Sequence, residues 1–414
     1  MRYLFSPAGV SSLGSLGAQG LNFIALLLPV LFGRLDQVAI LVVASAIAGI
    51  SALTFTFAFS SIYPGITSAK RRRNSFDASF FGVATASSLI ALIGAAITLI
   101  GAPWGLTVVW AGVLSLCQGL YLLATTVLVQ QIRHRRFALT RISYAVVNVT
   151  VTLLFSVFLP TPYGLVAASA VCLTVGTTVA SWGRVAELGA HLAFSPLNTR
   201  NTVAYARANW AATLSNLFAG LAFQSSALAT GFLGPYAGPW AGVVRVSGGF
   251  AGISQQVVSP WYDMRLSAAI RIESTLQMRR VIVTTALFGL CLAVLAYVTV
   301  WAIFLFNAFV SSRSLAVGNA LPVLLIGGIY MFGALVPSVC SRFLVMLGHQ
   351  QPYLVWAVSK LVIVSMVLVF YRGLELLAAL ACLEFLAAIA YISLLVLRRK
   401  SPRIMSQTID SPVD

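Results

Sequence analysis

The sequence contains few charged residues, and acidic residues are the scarcest. Asp, Glu, Lys and Arg together make up 8% of the 414 residues, whereas apolar residues make up 59%. A soluble domain carries about 25% charged residues, most of them on its water-facing surface. A chain this poor in charge cannot cover such a surface. The composition therefore excludes an ordinary soluble enzyme and predicts helices that lie in lipid.

The motifs of familiar chemistry are also missing. The sequence has no phosphate-binding loop, no H-E-x-x-H, no G-x-S-x-G and no paired carboxylates deep within a predicted span. The five cysteines lie inside apolar runs without C-x-x-C spacing, and the three histidines lie in predicted loops. We therefore predict no catalytic site, no metal site and no cofactor, and we do not expect an enzyme.

Long apolar runs dominate what is present. We count about twelve, each near the ~20 residues that a bilayer-spanning helix requires. They lie at 8–32, 38–63, 78–101, 104–129, 142–160, 163–183, 208–232, 236–259, 281–306, 318–346, 352–371 and 373–397. The fold class predicted is an all-α polytopic membrane protein.

The basic residues indicate which side of the membrane the loops occupy. The net charge of +17 would suggest nucleic acid in a soluble protein, but here the basic residues sit at helix ends, where they orient the chain. With the N-terminus in the cytoplasm, only Arg34, Arg313 and Arg372 fall outside. The cluster Lys70-Arg71-Arg72-Arg73 is then inside. This bias predicts an inner or plasma membrane protein with both termini cytoplasmic and an even number of spans.

A longer polar segment divides the runs into two sets of six. We predict an N-terminal six-helix half at 1–183, a cytoplasmic linker at 184–207, a C-terminal half at 208–397 and a cytoplasmic tail at 398–414. Two pseudo-symmetric halves of this kind are typical of duplicated transporters. The segment 262–280 mixes Arg265, Arg279 and Arg280 with apolar residues, which indicates an amphipathic stretch at the membrane interface or a solvated linker.

Three of the predicted spans carry small and polar residues at helical spacing. Such a stripe indicates either tight helix packing with interhelical hydrogen bonds or the wall of a water-filled cavity. The polar members are Gln19 and Asn22 in the first span, Asn216 and Gln224 in the seventh, and Arg245 and Gln256 in the eighth.

Charged residues inside spans are the strongest candidates for function. Arg245 lies about nine residues into its span, roughly 13 Å deep, where an unpaired arginine is costly. Lys360 and Glu384 are each twelve residues from the turn at Arg372, on opposite arms of a predicted hairpin. We therefore expect them at one depth, as a structural ion pair or as an ion-coupling site at Glu384. Arg34, at the outer end of the first span, contacts either substrate or the interface.

Two stretches resemble the polysaccharide-type flippases of the multidrug/oligosaccharidyl-lipid/polysaccharide exporter superfamily. One is LGPYAGPWAGVVRVSGGFAGISQQVVSPWYDMR from Leu233 to Arg265, and the other is QQIRHRRFALTRISYAVVNV, which enters the fifth span. The layout of two six-helix halves and the basic loop after the second span are also similar. The sequence departs from drug exporters in having no acids in the spans of its first half, and from peptidoglycan-precursor flippases in lacking two extra helices.

The resemblance implies a function that the residues alone do not. It implies export of a polyprenyl-diphosphate-linked oligosaccharide to the outer leaflet by alternating access around a cationic cavity. Arg245 and Lys360 would receive the diphosphate, and Asn and Gln side chains would bind sugar hydroxyls. Membrane lipids, a polysaccharide polymerase and glycosyltransferases are the expected partners, and no nucleic acid is.

Two other functions stay open. The first is a secondary antiporter that exports drugs or metabolites, which the missing acids disfavour. The second is an integral membrane polymerase or acyltransferase of envelope synthesis, which the short outside loops disfavour.

Overall fold

The structure is a computed structural model. It describes residues 7–57, 59–63, 69–131, 133–182, 203–272, 274–311, 315–341, 343–347 and 349–397. Within these ranges the regular structure is helical and contains no β-strand, which confirms the all-α prediction. The predicted linker at 184–207 falls largely outside the described residues, and the predicted tail falls entirely outside them.

Thirteen helices of more than ten residues occur in the described part of the chain. We number them α1 Pro7–Leu31, α2 Leu35–Phe55, α3 Ala69–Leu99, α4 Gly105–Gln130, α5 His134–Val157, α6 Gly164–Ser181, α7 Trp210–Leu228, α8 Ala237–Ile253, α9 Ser259–Arg271, α10 Thr275–Ser311, α11 Leu315–Cys340, α12 Gln350–Phe370 and α13 Gly373–Leu397. Nine of these described helices are long and apolar enough to cross a membrane. Helices suit lipid because they satisfy their backbone hydrogen bonds internally.

Each predicted apolar run lies on one of these helices, although several boundaries differ. Helix α5 begins at His134, eight residues before the run that predicted it, because its basic first turns continue the helix beyond the apolar part. Helix α8 continues through a π-helical turn at Ser254–Val258 into α9. On α9, Tyr262, Leu266 and Ala269 are buried while Arg265 is exposed, so this helix is amphipathic. Its position at the membrane interface stays a prediction.

Contacts between helices show their relative directions. Gly14 and Asn22 of α1 lie against Ala138 and Asn148 of α5. Residue numbers therefore rise together along the two helices, which are parallel. In α12 and α13, Lys360 meets Glu384 and Trp356 meets Ala387, so these helices are antiparallel. Both relations agree with alternating spans, since α1 and α5 are the first and fifth and α12 and α13 are consecutive.

The chain forms two compact units, residues 1–231 and 232–414. In the first unit, helix α2 is largely buried and packs against α3, α4, α6 and α7, while α1 packs along α5. Helix α7 joins this unit through Gly220, where an added Cβ would lie 3.6 Å from Ile50 of α2. The division of the chain into two six-helix halves stays a prediction.

In the second unit, helix α11 occupies the central place. It is largely buried and packs against α8, α10 and α13, although it contains Pro322 and Pro337. Helix α12 packs on α13 after a tight turn, in which Gly373 has a φ of +56°. Glycine suits that turn because a positive φ strains residues that carry a Cβ.

Candidate functional site

A buried ion pair joins α12 to α13. The Lys360 Nζ atom lies 2.7 Å from Glu384 Oε2, a distance typical of a strong charge-assisted hydrogen bond. The two residues are 4% and 6% exposed, so neither side chain is open to a large substrate. The predicted ion pair at a common depth is therefore confirmed.

Aromatic side chains extend the contact between α12 and α13 beyond this ion pair. The Lys360 ammonium lies 5.7 Å from the centre of the Trp356 ring, one turn away on the same helix. The indole Nε1 of Trp356 donates a hydrogen bond of 3.0 Å to the carbonyl of Ala387. The Trp356 ring packs edge to face on Tyr391 at 5.1 Å, and Tyr353 stacks on Trp356 at 6.0 Å. These contacts together join α12 to α13 over about two helical turns.

Helix α11 approaches the ion pair through a glycine. A Cβ added at Gly333 would lie 2.5 Å from the carbonyl carbon of Glu384 and from the amide nitrogen of Phe385. No side chain fits at that distance, so the backbones of α11 and α13 are in direct contact here. Pro337 stands four residues later and lacks the amide hydrogen that would bond the Gly333 carbonyl within the helix.

Hydroxyl groups cap the end of α11. The Tyr391 hydroxyl donates to the carbonyls of Cys340 at 2.9 Å and Ser341 at 3.2 Å. The Ser259 hydroxyl donates to the carbonyl of Val339 at 3.2 Å. The last carbonyls of a helix have no partner within it, so these side chains stabilise the helix end from α13 and α9.

Arg245 lies on a face of α8 that leaves room beside it. The arginine is half-buried, and Gly248 and Gly252 follow it at one and two turns. A Cβ added at either glycine would meet nothing within 4 Å. These glycines therefore do not serve close helix packing within their unit. We call the surface formed by Arg245, Gly248 and Gly252 the open face of α8.

The other side of α8 is packed. Trp240, Val243, Val246 and Phe250 are buried, and the Trp240 ring lies 4.8 Å from the ring of Tyr330 on α11. Two faces of one helix thus have different surroundings. The predicted alternative of tight packing does not describe the open face of α8.

In the first unit, the predicted site residues near α1 contact protein groups. The Asn148 amide of α5 donates to the Asn22 side-chain oxygen at 3.1 Å, and the Thr152 hydroxyl donates to Asn148 at 3.3 Å. Arg34 donates from Nε to the carbonyl of Ser156 at 2.9 Å. Asn22 on α1 and Arg34 in the turn after α1 therefore both contact α5 in this structure.

For the remaining predicted site residues, the structure gives the burial of the side chain or only its position in the chain. Gln19 on α1 and Asn216 and Gln224 on α7 are half-buried and belong to the first unit. Gln256 lies in the π-helical turn of the second unit, and its side chain is outside the described part of the structure. The site residues predicted from sequence are thus divided between the two units.

The sequence analysis missed a line of serines in the first unit. The Ser87 hydroxyl of α3 donates to Ser115 of α4 at 3.1 Å, and Ser115 donates to Ser51 of α2 at 2.8 Å. All three residues are buried. Serine is common in apolar helices, so only knowledge of which faces meet would have identified this line.

Solved structures place the fold among known transporters. The chain is similar to the inward-facing conformation of a multidrug resistance MATE family transporter of the MOP superfamily, with a TM-score of 0.54 and 14% identity, covering 98% of this chain and 96% of that one. It is also similar to the outward-facing conformation of a transporter with the same description, with a TM-score of 0.51 and 14% identity over 95% and 96%.

These likenesses establish a MATE-like transporter fold for the chain. The MOP superfamily is the one that the sequence resemblance named. No protein-family model matches the sequence, and no curated protein matches it.

Proposed function

We propose that the chain is a transporter that moves a polyprenyl-diphosphate-linked oligosaccharide from the inner to the outer leaflet by alternating access. The observation that carries the proposal is the open face of α8. An arginine beside two uncovered glycines offers a positive charge with space next to it. A diphosphate is an anion that a guanidinium binds through paired hydrogen bonds.

The depth of Arg245 also supports this role. Arg245 lies eight residues after the start of α8, about 12 Å along the helix axis. An arginine on a lipid-facing surface at that depth costs about 2.5–3.5 kcal/mol or more. Arg245 interacts with other groups of the structure, and in the proposed water-filled path it would contact the anion as well. We do not propose that Lys360 binds the diphosphate, because its ammonium is buried against Glu384.

The fold supports a transport cycle. The two similar structures are described as inward-facing and outward-facing, and a bilayer transporter with two such states exposes its site to each side in turn. Those proteins are described as multidrug resistance transporters, so export of drugs is the second candidate function here. A cationic drug would be repelled by Arg245, whereas an anionic lipid head would be attracted.

The test is leaflet exchange by the full chain in proteoliposomes. A fluorescent polyprenyl-diphosphate oligosaccharide is placed in both leaflets, and its accessibility to an outside quencher or enzyme is followed with time. We expect exchange to be faster with the protein, and Arg245→Ala to slow it about tenfold or more, because a charge-assisted contact to phosphate is lost. Arg245→Lys should keep part of the rate.

A matched control is Arg280→Ala on α10. Arg280 is exposed, so this variant loses the same charge away from the open face and should transport normally. Protein-independent exchange, or equal rates for Arg245→Ala and the wild-type protein, would refute the flippase proposal. Export of cationic dyes that survives Arg245→Ala would favour the drug antiporter instead.

A further inference from the structure

The buried carboxylate of Glu384 already has a cation of its own. The Lys360 ammonium lies 2.7 Å from it, and both side chains are excluded from solvent. A buried carboxylate must be paired with a positive charge, bind a metal ion or take up a proton. In this chain the carboxylate is paired with a positive charge, which the chain itself supplies as Lys360.

In the part of the chain that the structure describes, the helices packed on Glu384 carry a small number of titratable groups. Helix α12 presents Lys360, with Tyr353 about two turns away. Helix α11 presents Gly333, which has no side chain. On α13 itself, Tyr391 lies two turns further along and bonds the end of α11. Lys360 is the described cation in hydrogen-bond contact with the Glu384 carboxylate.

Helix α10 also contacts α13, and its apolar part contains Cys291 and Tyr297. Cys291 is exposed, and the Tyr297 ring lies against Gly328 of α11. The described contacts of Cys291 and Tyr297 are therefore with groups other than Lys360 and Glu384.

Helix α11 lies against the backbone of Glu384 through Gly333, with no side chain between them. A buried carboxylate without a built-in cation would need a positive charge from solution, such as Na⁺, or a proton. The Lys360 ammonium, 2.7 Å from the carboxylate, supplies that positive charge.

We propose that Lys360 is a tethered cation that fills what would otherwise be a monovalent cation site at Glu384. Glu384 therefore binds no Na⁺ while Lys360 is in place. Shortening the lysine to an uncharged side chain would open the site to Na⁺ or to a proton from solution. The proposal concerns the second unit alone and does not depend on which substrate is transported.

The experiment measures thermal unfolding of the full chain in lipid nanodiscs. The midpoint is compared in sodium chloride and in choline chloride at equal ionic strength, in acidic and in alkaline buffer. For the wild-type protein we expect the same midpoint in both salts. Lys360→Met should lower the midpoint by about 5 °C in choline at alkaline pH, because an unpaired carboxylate is left buried. Adding Na⁺ should restore most of that loss.

The pH dependence of Lys360→Met has a definite sign. A buried carboxylate without a cation destabilises the folded state, and a proton taken up in acid removes that charge. The Lys360→Met midpoint should therefore be higher in acidic than in alkaline buffer. The double variant Lys360→Met/Glu384→Gln removes the carboxylate and provides the baseline, with no Na⁺ effect. Lys360→Arg keeps the charge and should behave as the wild-type protein does.

Two results would overturn the proposal. One is a Lys360→Met midpoint that neither Na⁺ nor acid raises relative to the double variant. The other is a Na⁺ effect on the wild-type protein that Glu384→Gln removes, which would mean that Glu384 exchanges cations with Lys360 present. The second measurement decides the question even if Lys360→Met does not fold. Neither measurement requires a substrate, so a failed flippase assay leaves this test intact.

Discussion

The two compact units join their buried polar groups in different ways. In the first unit, buried polar side chains of different helices pair as neutral groups, as in the serines at 51, 115 and 87 and the amides of Asn22 and Asn148. In the second unit the central contact is ionic, between Lys360 and Glu384. Neutral groups lose little when they are buried together, whereas a buried charge is costly without its partner. The second unit is therefore the more sensitive of the two to the loss of a single polar group.

Glycines show a similar contrast within the second unit. Gly333 on α11 has backbone atoms of α13 within 2.5 Å of an added Cβ, whereas Gly248 on α8 has open space. The same residue type thus allows close packing in one helix and leaves a face uncovered in the other. Four variants test these comparisons, and they follow from the largest expected effect on stability to the smallest.

The largest loss is expected from Glu384→Ala, which leaves the Lys360 ammonium buried without its carboxylate. Breaking a buried ion pair from one side costs about 3–5 kcal/mol of unfolding free energy. Chemical or thermal unfolding in nanodiscs measures the change. Glu375→Ala is the matched control, because Glu375 is an exposed acid on the same helix. Lys360→Met/Glu384→Leu should recover most of the loss. A loss equal to that of the control would show that the pair contributes little.

The next largest effect is expected from Gly333→Ala. The added methyl group would meet the backbone of Glu384 and Phe385, which cannot move aside as a side chain can. Overpacking of this kind costs about 1–3 kcal/mol, read as a lower unfolding midpoint. Gly328→Ala on the same helix is the control, since its nearest neighbour is the Tyr297 side chain at 3.1 Å. Equal midpoints for the two variants would contradict the close backbone contact.

A smaller effect is expected from Ser115→Ala in the first unit. The change removes the donor to Ser51 and the acceptor for Ser87. Interhelical hydrogen bonds in membrane proteins contribute about 0.6 kcal/mol on average and at most about 1.7 kcal/mol. Ser365→Ala is the comparison, because Ser365 is exposed and bonds the backbone of its own helix. If Ser115→Ala lost as much unfolding free energy as Glu384→Ala, neutral and ionic contacts would be equally important and the contrast between the two units would be wrong.

The smallest effect on stability is expected from Gly248→Ala. The methyl group enters open space, and alanine is about 1 kcal/mol better than glycine inside a helix. The unfolding midpoint should therefore stay equal or rise. Gly248→Trp should also fold, but it should slow leaflet exchange because it fills the space beside Arg245. Destabilisation by Gly248→Ala would show that the open face of α8 is covered.

Several of these features could be predicted from the sequence. The apolar runs predicted the spans, because a bilayer requires about 20 apolar residues per crossing. The ion pair was predictable because Lys360 and Glu384 are equally far from one tight turn, and helix rise is constant. The amphipathic α9 was predictable because the spacing of its apolar residues matches the helix period.

Other features depended on which faces meet. Helix period assigns Asn22 to a face of α1, and Arg34 follows the end of that helix. The sequence does not reveal that α5 lies beside them with Asn148 and the carbonyl of Ser156. For the same reason both residues were predicted to bind substrate. The sequence places both Gly248 and Gly333 inside apolar helices and does not distinguish them. Only the structure shows that α13 packs against Gly333 and that none of the described residues covers Gly248.

By itself, the sequence determined that this chain has the helices of a multi-pass membrane protein, where those helices run, and that Lys360 and Glu384 lie at one level of their hairpin. These properties depend on transfer from water to lipid and on the constant rise of a helix, and both act locally along the chain. The tertiary structure decided which polar groups are partners and which face of α8 stays open beside Arg245. Those properties depend on contacts between residues far apart in the sequence, such as Gly333 with Glu384, which no local pattern specifies.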